Sequence, residues 1–278
     1  FVISRAYQVN TTSVNTSAFA NTTTKAATAT KTTEAKTTKS SSAKNSTSSA
    51  NKSKSETTVA SNQTKTSTDG GKEIKSYSQD GKNISLKEYT YENTKVYVAD
   101  ITLDSAQSLK TAFASDTYGK NVTETTSQIA SEKNAILSIN GDYYGAREDG
   151  YVIRNGVVYR DEAGSEDVLC IYADGSMKVV DPSTVTAQEL VNQGVWQAFS
   201  FGPGLVSEGK VSVSTNAEVG RAMASNPRTA IGLIDNNHYL FVVSDGRTQE
   251  SEGLSLYQLA QFMKSLGAKT AYNLDGGG

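Results

Sequence analysis

Thirty of the 58 residues from position 11 to position 68 are Ser or Thr, and Lys, Ala and Asn fill most of the rest. No Gly or Pro interrupts the chain before Gly70. Such a stretch cannot bury enough apolar surface to offset the entropy of ordering it. Any packed fold is therefore confined to the residues C-terminal to it. The sequence divides into a low-complexity, Ser/Thr/Lys-rich disordered tether over 1–71 and a folded domain over 72–278, long enough for a sizeable core.

Charge divides the same way. Residues 1–70 carry a net +6 and the remainder −8. A basic tail on an acidic domain would suit an anionic polymer such as a cell-wall polyanion; the preferred reading is a solvated linker kept soluble by its lysines. Ser/Thr-rich stalks are typical of proteins held on or outside a cell surface, so an extracellular or surface location is expected. No apolar run approaches the roughly 20 residues of a membrane span, and no transmembrane segment or nucleic-acid partner is expected. The opening Phe1-Val2-Ile3-Ser4, without Met, fits either the remnant of a signal or anchor segment or a fragment start, and is too short to separate the two. Cys170 and His238 are each the only residue of their kind, which rules out an intrachain disulfide. Any Ser-His-Asp triad would have to use His238, which sits at an expected hairpin tip beside Asp235-Asn236-Asn237.

From residue 72 onward the patterning is mostly that of half-buried strands. Ser85–Glu92 and Thr94–Leu103 alternate polar with Val, Tyr and Ile. Thr125-Thr126-Ser127-Gln128 has capping-box form and starts a short helix to about Lys133. Ala135–Ile139 reads as a compact apolar strand. Hairpins come next over Tyr151–Arg160, turning at Asn155-Gly156, and over Val168–Val180, turning at Asp174-Gly175. Ala187–Asn192 reads as a helix, Val195–Phe201 as a strand, and Leu205–Val213 as a hairpin turning at Glu208-Gly209. Arg228–Ile234 and Tyr239–Ser244 form a further hairpin. A helix then starts at the Ser255/Gln258 capping box, with Leu256, Leu259, Ala260, Met263 and Leu266 on one face and Gly267 as its stop. The expected fold is α+β: a mixed, largely antiparallel sheet with many hairpins and few helices.

Three apolar segments end alike, in Asn140-Gly141-Asp142, Ser244-Asp245-Gly246-Arg247 and Asn273-Leu274-Asp275-Gly276. Carboxylates and amides gathered at strand ends can hold a sugar ring, act as acid and base, or bind a hard cation. Arg228 comes directly after Asn226-Pro227, and Arg247 and Arg154 also sit at turns; a guanidinium matches a phosphate with two parallel hydrogen bonds.

Taken in order, Asn140-Gly-Asp-Tyr-Tyr, Phe201-Gly-Pro-Gly-Leu, Asn226-Pro-Arg-Thr-Ala-Ile-Gly, Asp245-Gly-Arg and Asn273-Leu-Asp-Gly-Gly-Gly resemble the phosphodiester glycosidase family over about Tyr89 to Gly278. The resemblance implies hydrolysis of the bond between a sugar anomeric carbon and a phosphodiester. The animal member, the uncovering enzyme of lysosomal targeting, removes N-acetylglucosamine from a phosphate on mannose. Bacterial relatives are often secreted or surface proteins, which fits a phosphorylated glycan, exopolysaccharide or cell-wall polymer as substrate. On this reading Asp142 and Asp275 face the reacting sugar and Arg228 neutralises phosphate charge. Asn140 and Asn273 hold sugar hydroxyls, and Arg247 assists at the phosphate. Asp245 orients an arginine or binds a cation, and the amides of Gly276, Gly277 and Gly278 approach the phosphate. No cofactor is assigned, and a divalent cation stays an open alternative with no defined ligand set. Family members continue past the triple glycine with Ser or Thr and a further strand, so the domain is expected to be truncated, with an exposed sheet edge and reduced stability or activity. The competing reading is a non-catalytic surface module that binds anionic glycan through the same cleft.

Overall fold

The computed structural model describes residues 70–217 and 225–276. The expected disordered tether over 1–71 lies almost wholly outside the described residues. Within them the chain forms two sheets in which every strand pairing is antiparallel. The larger runs β1 (Lys72–Gln79), β2 (Lys82–Tyr91), β3 (Thr94–Leu103), β12 (His238–Ser244), β11 (Arg228–Asp235), β13 (Thr270–Leu274), β9 (Gly204–Ser207) and β10 (Lys210–Val211), in that spatial order. The smaller runs β5 (Val157–Arg160), β4 (Val152–Arg154), β8 (Val195–Ser200), β6 (Val168–Tyr172) and β7 (Met177–Val180). Three α-helices accompany them: α1 (Thr126–Glu132), α2 (Ala187–Asn192) and α3 (Leu256–Ser265).

The period of two along the strands explains the layering. On the large sheet Val96, Val98, Ala230, Leu240, Val242 and Ala271 face α3, whose Leu256, Leu259, Ala260, Phe262 and Met263 complete one core. Their neighbours on the opposite face, among them Ile101, Ile231, Leu233, Tyr239, Tyr272 and Leu274, pack on Leu169, Ile171, Met177 and Phe199 of the small sheet. The small sheet's far face, with Ile153, Val168, Cys170 and Ala198, is covered by Ala187 and Leu190 of α2. The centre of the large sheet is buried on both faces, which is why β11 reads as a nearly continuous apolar run rather than an alternation.

Local chemistry matches the expected element boundaries closely. Thr125, Thr186 and Ser255 each form reciprocal capping boxes, and Gly267 adopts φ +92° where α3 stops. Asn155-Gly156 and Glu208-Gly209 take two successive positive φ values, as two-residue hairpin turns require. At Asp174-Gly175 only Gly175 does so, because the connection is a longer loop closed by Tyr172 N–H donating to Ser176 O.

One expected element is absent. Residues 135–139 bend at Ile136-Leu137 and pair with no strand. Leu137 and Ile139 pack against the inter-sheet core while Ile136 is exposed, so the apolar pattern records side-chain burial without a ladder. A five-residue apolar run does not separate those outcomes. The single expected sheet is also two sheets, since hairpins alone do not say which pairs join.

Candidate functional site

The strands β12, β11 and β13 are neighbours, and their register places the end of β12, the start of β11 and the end of β13 at one edge. Arg228 pairs with Ser244, and Thr229 pairs with Leu274. Continuing the β11–β13 register by one residue sets Arg228 across from Asp275, and residues opposite each other in an antiparallel pair share a face. Asn273, two residues earlier, shares it too. A Cβ built on Gly276 would lie 2.4 Å from Pro227 O, which measures how closely these two backbones approach.

The Asn140-Gly141-Asp142 segment, although not a strand end, is docked onto this edge. Asp275 N–H donates to Gly141 O at 3.1 Å, and Asn140 Nδ2 donates to Asp275 O. Thr229 Oγ1 donates to Asn140 Oδ1 at 2.7 Å. Asn140 thus clamps the 140–142 segment to both β11 and the end of β13.

Asp142, expected to face the sugar, is closed in an ion pair. Its side chain is 1 % accessible. Oδ1 pairs with Arg154 Nη2 at 2.5 Å and Oδ2 accepts from Ser200 N–H at 3.0 Å. Arg154 lies between the sheets, donates to the carbonyls of Ile153 and Ala198, and stacks 4.4 Å from the Phe199 ring centroid. A buried guanidinium so arranged is strongly held, and Asp142 is its counter-ion. The ion pair ties the 140–145 segment to the small sheet.

Arg228 is buried, with Nε donating to Leu254 O at 2.8 Å and its backbone N–H to Ser244 Oγ at 3.0 Å. Asn273 is buried beside it; Nδ2 donates to Gly202 O at 2.8 Å, and Oδ1 has no hydrogen-bond partner. Asp275 is half-buried. Asp245, also half-buried, donates its N–H to Lys95 O, on the side of β12 away from β11. Arg247, mostly exposed, closes on Asn226 Oδ1 through Nε at 3.1 Å and Nη2 at 2.5 Å. Arg228, Asp275 and Asn273 therefore share one face at this strand end, Asn140 joins it from the opposite face through Thr229, Asp142 is closed against the small sheet, Arg247 closes on Asn226 and Asp245 lies toward β3. Gly277 and Gly278 lie outside the described residues.

Several contributors escaped sequence reasoning. Thr229, Ser244 and the Leu254 carbonyl orient Asn140 and Arg228. Tyr272 joins the sheets: its hydroxyl donates to Asp167 O at 2.6 Å and accepts from Phe201 N–H at 2.9 Å. Burial pushes the Tyr272 and Tyr144 hydroxyls far above the usual phenol range, so both stay protonated. Nothing in residue type alone marks such second partners. His238 is at the opposite end of β12 from Ser244, about 20 Å away at strand rise, and pairs with Asp100. Among the described residues no group of three His, Cys, Asp or Glu side chains could hold one metal ion.

The fold defines the class: two packed antiparallel sheets with a polar junction at the strand ends. The chain belongs to the phosphodiester glycosidase family, whose model matches residues 133–278. It is 31 % identical over 169 residues to the SPbeta prophage-derived uncharacterized protein YomE of Bacillus subtilis (strain 168), a match covering 58 % of this chain and 26 % of that one. The chain thus spans about a quarter of that relative's length. Among solved structures, the catalytic domain of zebrafish N-acetylglucosamine-1-phosphodiester alpha-N-acetylglucosaminidase, auto-inhibited by its pro-peptide, superposes with a TM-score of 0.51 at 20 % identity, covering 75 % of each chain. A hypothetical protein from Synechocystis gives 0.50 at 13 % identity, over 71 % of this chain and 56 % of that one. These two likenesses establish the fold.

Proposed function

We propose that this domain hydrolyses a sugar-1-phosphodiester, releasing the sugar and leaving a phosphate monoester on a glycan. What carries the reading is the β11–β13 register, which sets Arg228 across from Asp275 with Asn273 on the same face, while Asn140 holds the Asp275 carbonyl. Water adds to the anomeric carbon, and the bond from that carbon to the phosphate oxygen breaks with its electron pair staying on oxygen. A phosphate monoester is a weak base, so the site needs charge neutralisation more than proton donation at the leaving group. Arg228, anchored through Nε, supplies the positive charge. Asp275 opposes the charge that develops on the sugar and takes the proton of the attacking water. Asn273 Oδ1, the acceptor without a partner, receives a sugar hydroxyl. Asn140 holds the Asp275 backbone, and Asp142 acts through Arg154 as a positioning residue. N-acetylglucosamine on phosphate is the first substrate to test, because the zebrafish catalytic domain that shares this fold carries that substrate in its name. A phosphorylated surface or cell-wall polymer outside the cell is the natural setting in this proposal, given the Ser/Thr/Lys-rich segment.

The burial of Asp142 favours one alternative, a module that binds anionic glycan without turnover. Hydrolysis of p-nitrophenyl-phosphodiester N-acetylglucosamine separates the two. Turnover that falls at least 100-fold in both Asp275→Asn and Arg228→Ala supports the hydrolase; near-wild-type turnover in both would sink the assignment. Polymer binding with no turnover at all makes the chain a module.

A further inference from the structure

Arg160, on β5, has no part in the site above, yet its guanidinium is held unusually firmly. Nε donates to Gly150 O at 2.6 Å, and Nη1 donates to Tyr144 O at 3.0 Å and to Arg147 O at 2.6 Å. Three carbonyls fix two of its nitrogens. The third, Nη2, is buried and has no acceptor. A guanidinium wants all five of its N–H groups met, and leaving a buried charged donor unmet is unfavourable.

Beside it lies a cavity of about 100 Å³ lined by Tyr118, Lys120, Tyr144, Arg147, Glu148 and Arg160, with Gly119 and Gly145. One water needs roughly 10–15 Å³ on this measure, so the space takes a group of several heavy atoms. Aromatic contacts brace one side of it. Tyr118 and Tyr144 stack at 5.0 Å with their planes 9° apart, and the Arg147 guanidinium lies 5.8 Å from the Phe201 ring centroid. Its charge is one-sided. Lys120, Arg147 and Arg160 face a single carboxylate, Glu148, which an exposed ion pair with Lys120 occupies. Three cations thus share one carboxylate, and Arg160 keeps a buried donor unmet.

We propose that this cavity is an oxyanion subsite that takes a phosphate-sized group between Arg160 and Arg147. The oxyanion meets Arg160 Nη2 and the Arg147 guanidinium, and the tyrosine stack closes the apolar side. Tyr144 belongs to the same 140–145 segment that Asn140 and Asp142 anchor, so the subsite is tied to the reacting centre through that backbone. Resting on the proposed function, its natural occupant is a neighbouring phosphate of the same glycan; free inorganic phosphate is the other source of the same chemistry.

The test uses inorganic phosphate as the probe, titrated by calorimetry and by thermal shift against the full chain and three variants. Arg147→Gln weakens phosphate binding at least 10-fold, since it removes one charge-assisted contact. Glu148→Gln tightens it. Arg160→Met is expected to lose binding too, but it also strips three carbonyls of their donor; Arg147→Gln and Glu148→Gln keep the test independent of its folding. Phosphate binding that neither Arg147→Gln nor Glu148→Gln alters would overturn the subsite, whatever the hydrolase assay gives. A second arm identifies the source. If Arg147→Gln raises KM for a glycan fragment bearing two adjacent phosphates, but not for one bearing a single phosphodiester, the occupant is the substrate's own phosphate. Unchanged KM on both with lost phosphate binding assigns the subsite to the free ion. Absence of any turnover, with Arg147-dependent phosphate binding intact, would refute the hydrolase reading and leave the subsite standing.

Discussion

Asp142→Asn changes one oxygen to an amide nitrogen with almost no change in volume, and the structure says what that does. Asp142 and Arg154 are 1 % and 5 % accessible at their side chains, so neither charge is screened by water. Removing the carboxylate charge leaves the Arg154 guanidinium buried between the sheets with two carbonyls and an aromatic ring but no counter-ion. Breaking a buried pair from one side costs about 3–5 kcal/mol. For a domain of this size each kcal/mol moves Tm by about 2–4 °C, which gives a fall of about 6–20 °C. Replacing both partners with neutral groups costs far less, because no unpaired charge remains. The double variant Asp142→Asn/Arg154→Met should therefore recover most of the stability lost in Asp142→Asn. Urea unfolding of the single and double variants, closed into a cycle, measures this coupling directly. Turnover in the double variant carries the functional half: a positioning role predicts partial recovery alongside stability, whereas a carboxylate that touches the sugar predicts none. A loss below about 1 kcal/mol in Asp142→Asn would refute the assignment of this pair as the anchor of the 140–145 segment.

Three more outcomes are expected from the same geometry. Asp275→Asn should lower turnover about 10²–10⁴-fold, as for loss of an acid–base carboxylate, while Tm stays within a few degrees, since the residue's backbone bonds to Gly141 and Asn140 persist. Gly246→Ala should destabilise by about 1–3 kcal/mol in urea unfolding, because a Cβ there would stand 2.4 Å from Pro227 N, closer than any relaxed contact. Burial pushes the Cys170 thiol up to about 12 from 9.0, so the folded state holds it protonated where the unfolded chain would ionise. Its contribution to stability is full below pH 9 and is lost as pH rises from 9 to about 12; a thiol reagent at about pH 8 should label Cys170 only at the rate of unfolding.

Much of the fold was legible because the local signals agreed with the tertiary structure. The capping boxes at Thr125 and Ser255 and the turn residues at Asn155-Gly156 and Glu208-Gly209 act within a few residues of themselves, so a sequence carries them whole. What it did not carry was long-range. Whether Ala135–Ile139 finds a ladder depends on whether a strand edge lies beside it, and the sheet edge it reaches is met instead through Asn140 and Gly141. The candidate site divides in the same way. That Asp245 and Asp275 come after strands that meet at one end of the sheet could be suspected from the repeated strand-end pattern, but which carboxylate is open and which is closed in an ion pair cannot. Asp142 and Asp275 have similar flanking residues; only the distant Arg154 and Ser200 decide that Asp142 is sealed.

The glycines of the motifs illustrate why residue type alone misleads about role. Three consecutive glycines after Asp275 invite the reading of a backbone nest for phosphate. The described geometry assigns at least one of them a packing duty first. The Asn226-Pro227 backbone runs into β11 through a narrow gap, and a Cβ on Gly246, Gly253 or Gly276 would lie 2.4, 2.7 and 2.4 Å from it. All three glycines are required so that the loops after β12, before α3 and after β13 can close on one segment. That closure fixes where β11 begins, and so where Arg228 stands. Leu254, joined to Asn226 by reciprocal backbone hydrogen bonds at 2.9 and 3.3 Å, then offers its carbonyl to Arg228 Nε. The arrangement is a collar: close-packed glycines hold the Asn-Pro step, the step sets the arginine, and the arginine faces Asp275 across the strand pair. A glycine substitution in the collar should therefore reduce activity through the position of Arg228, with KM for the phosphodiester rising along with the loss of stability.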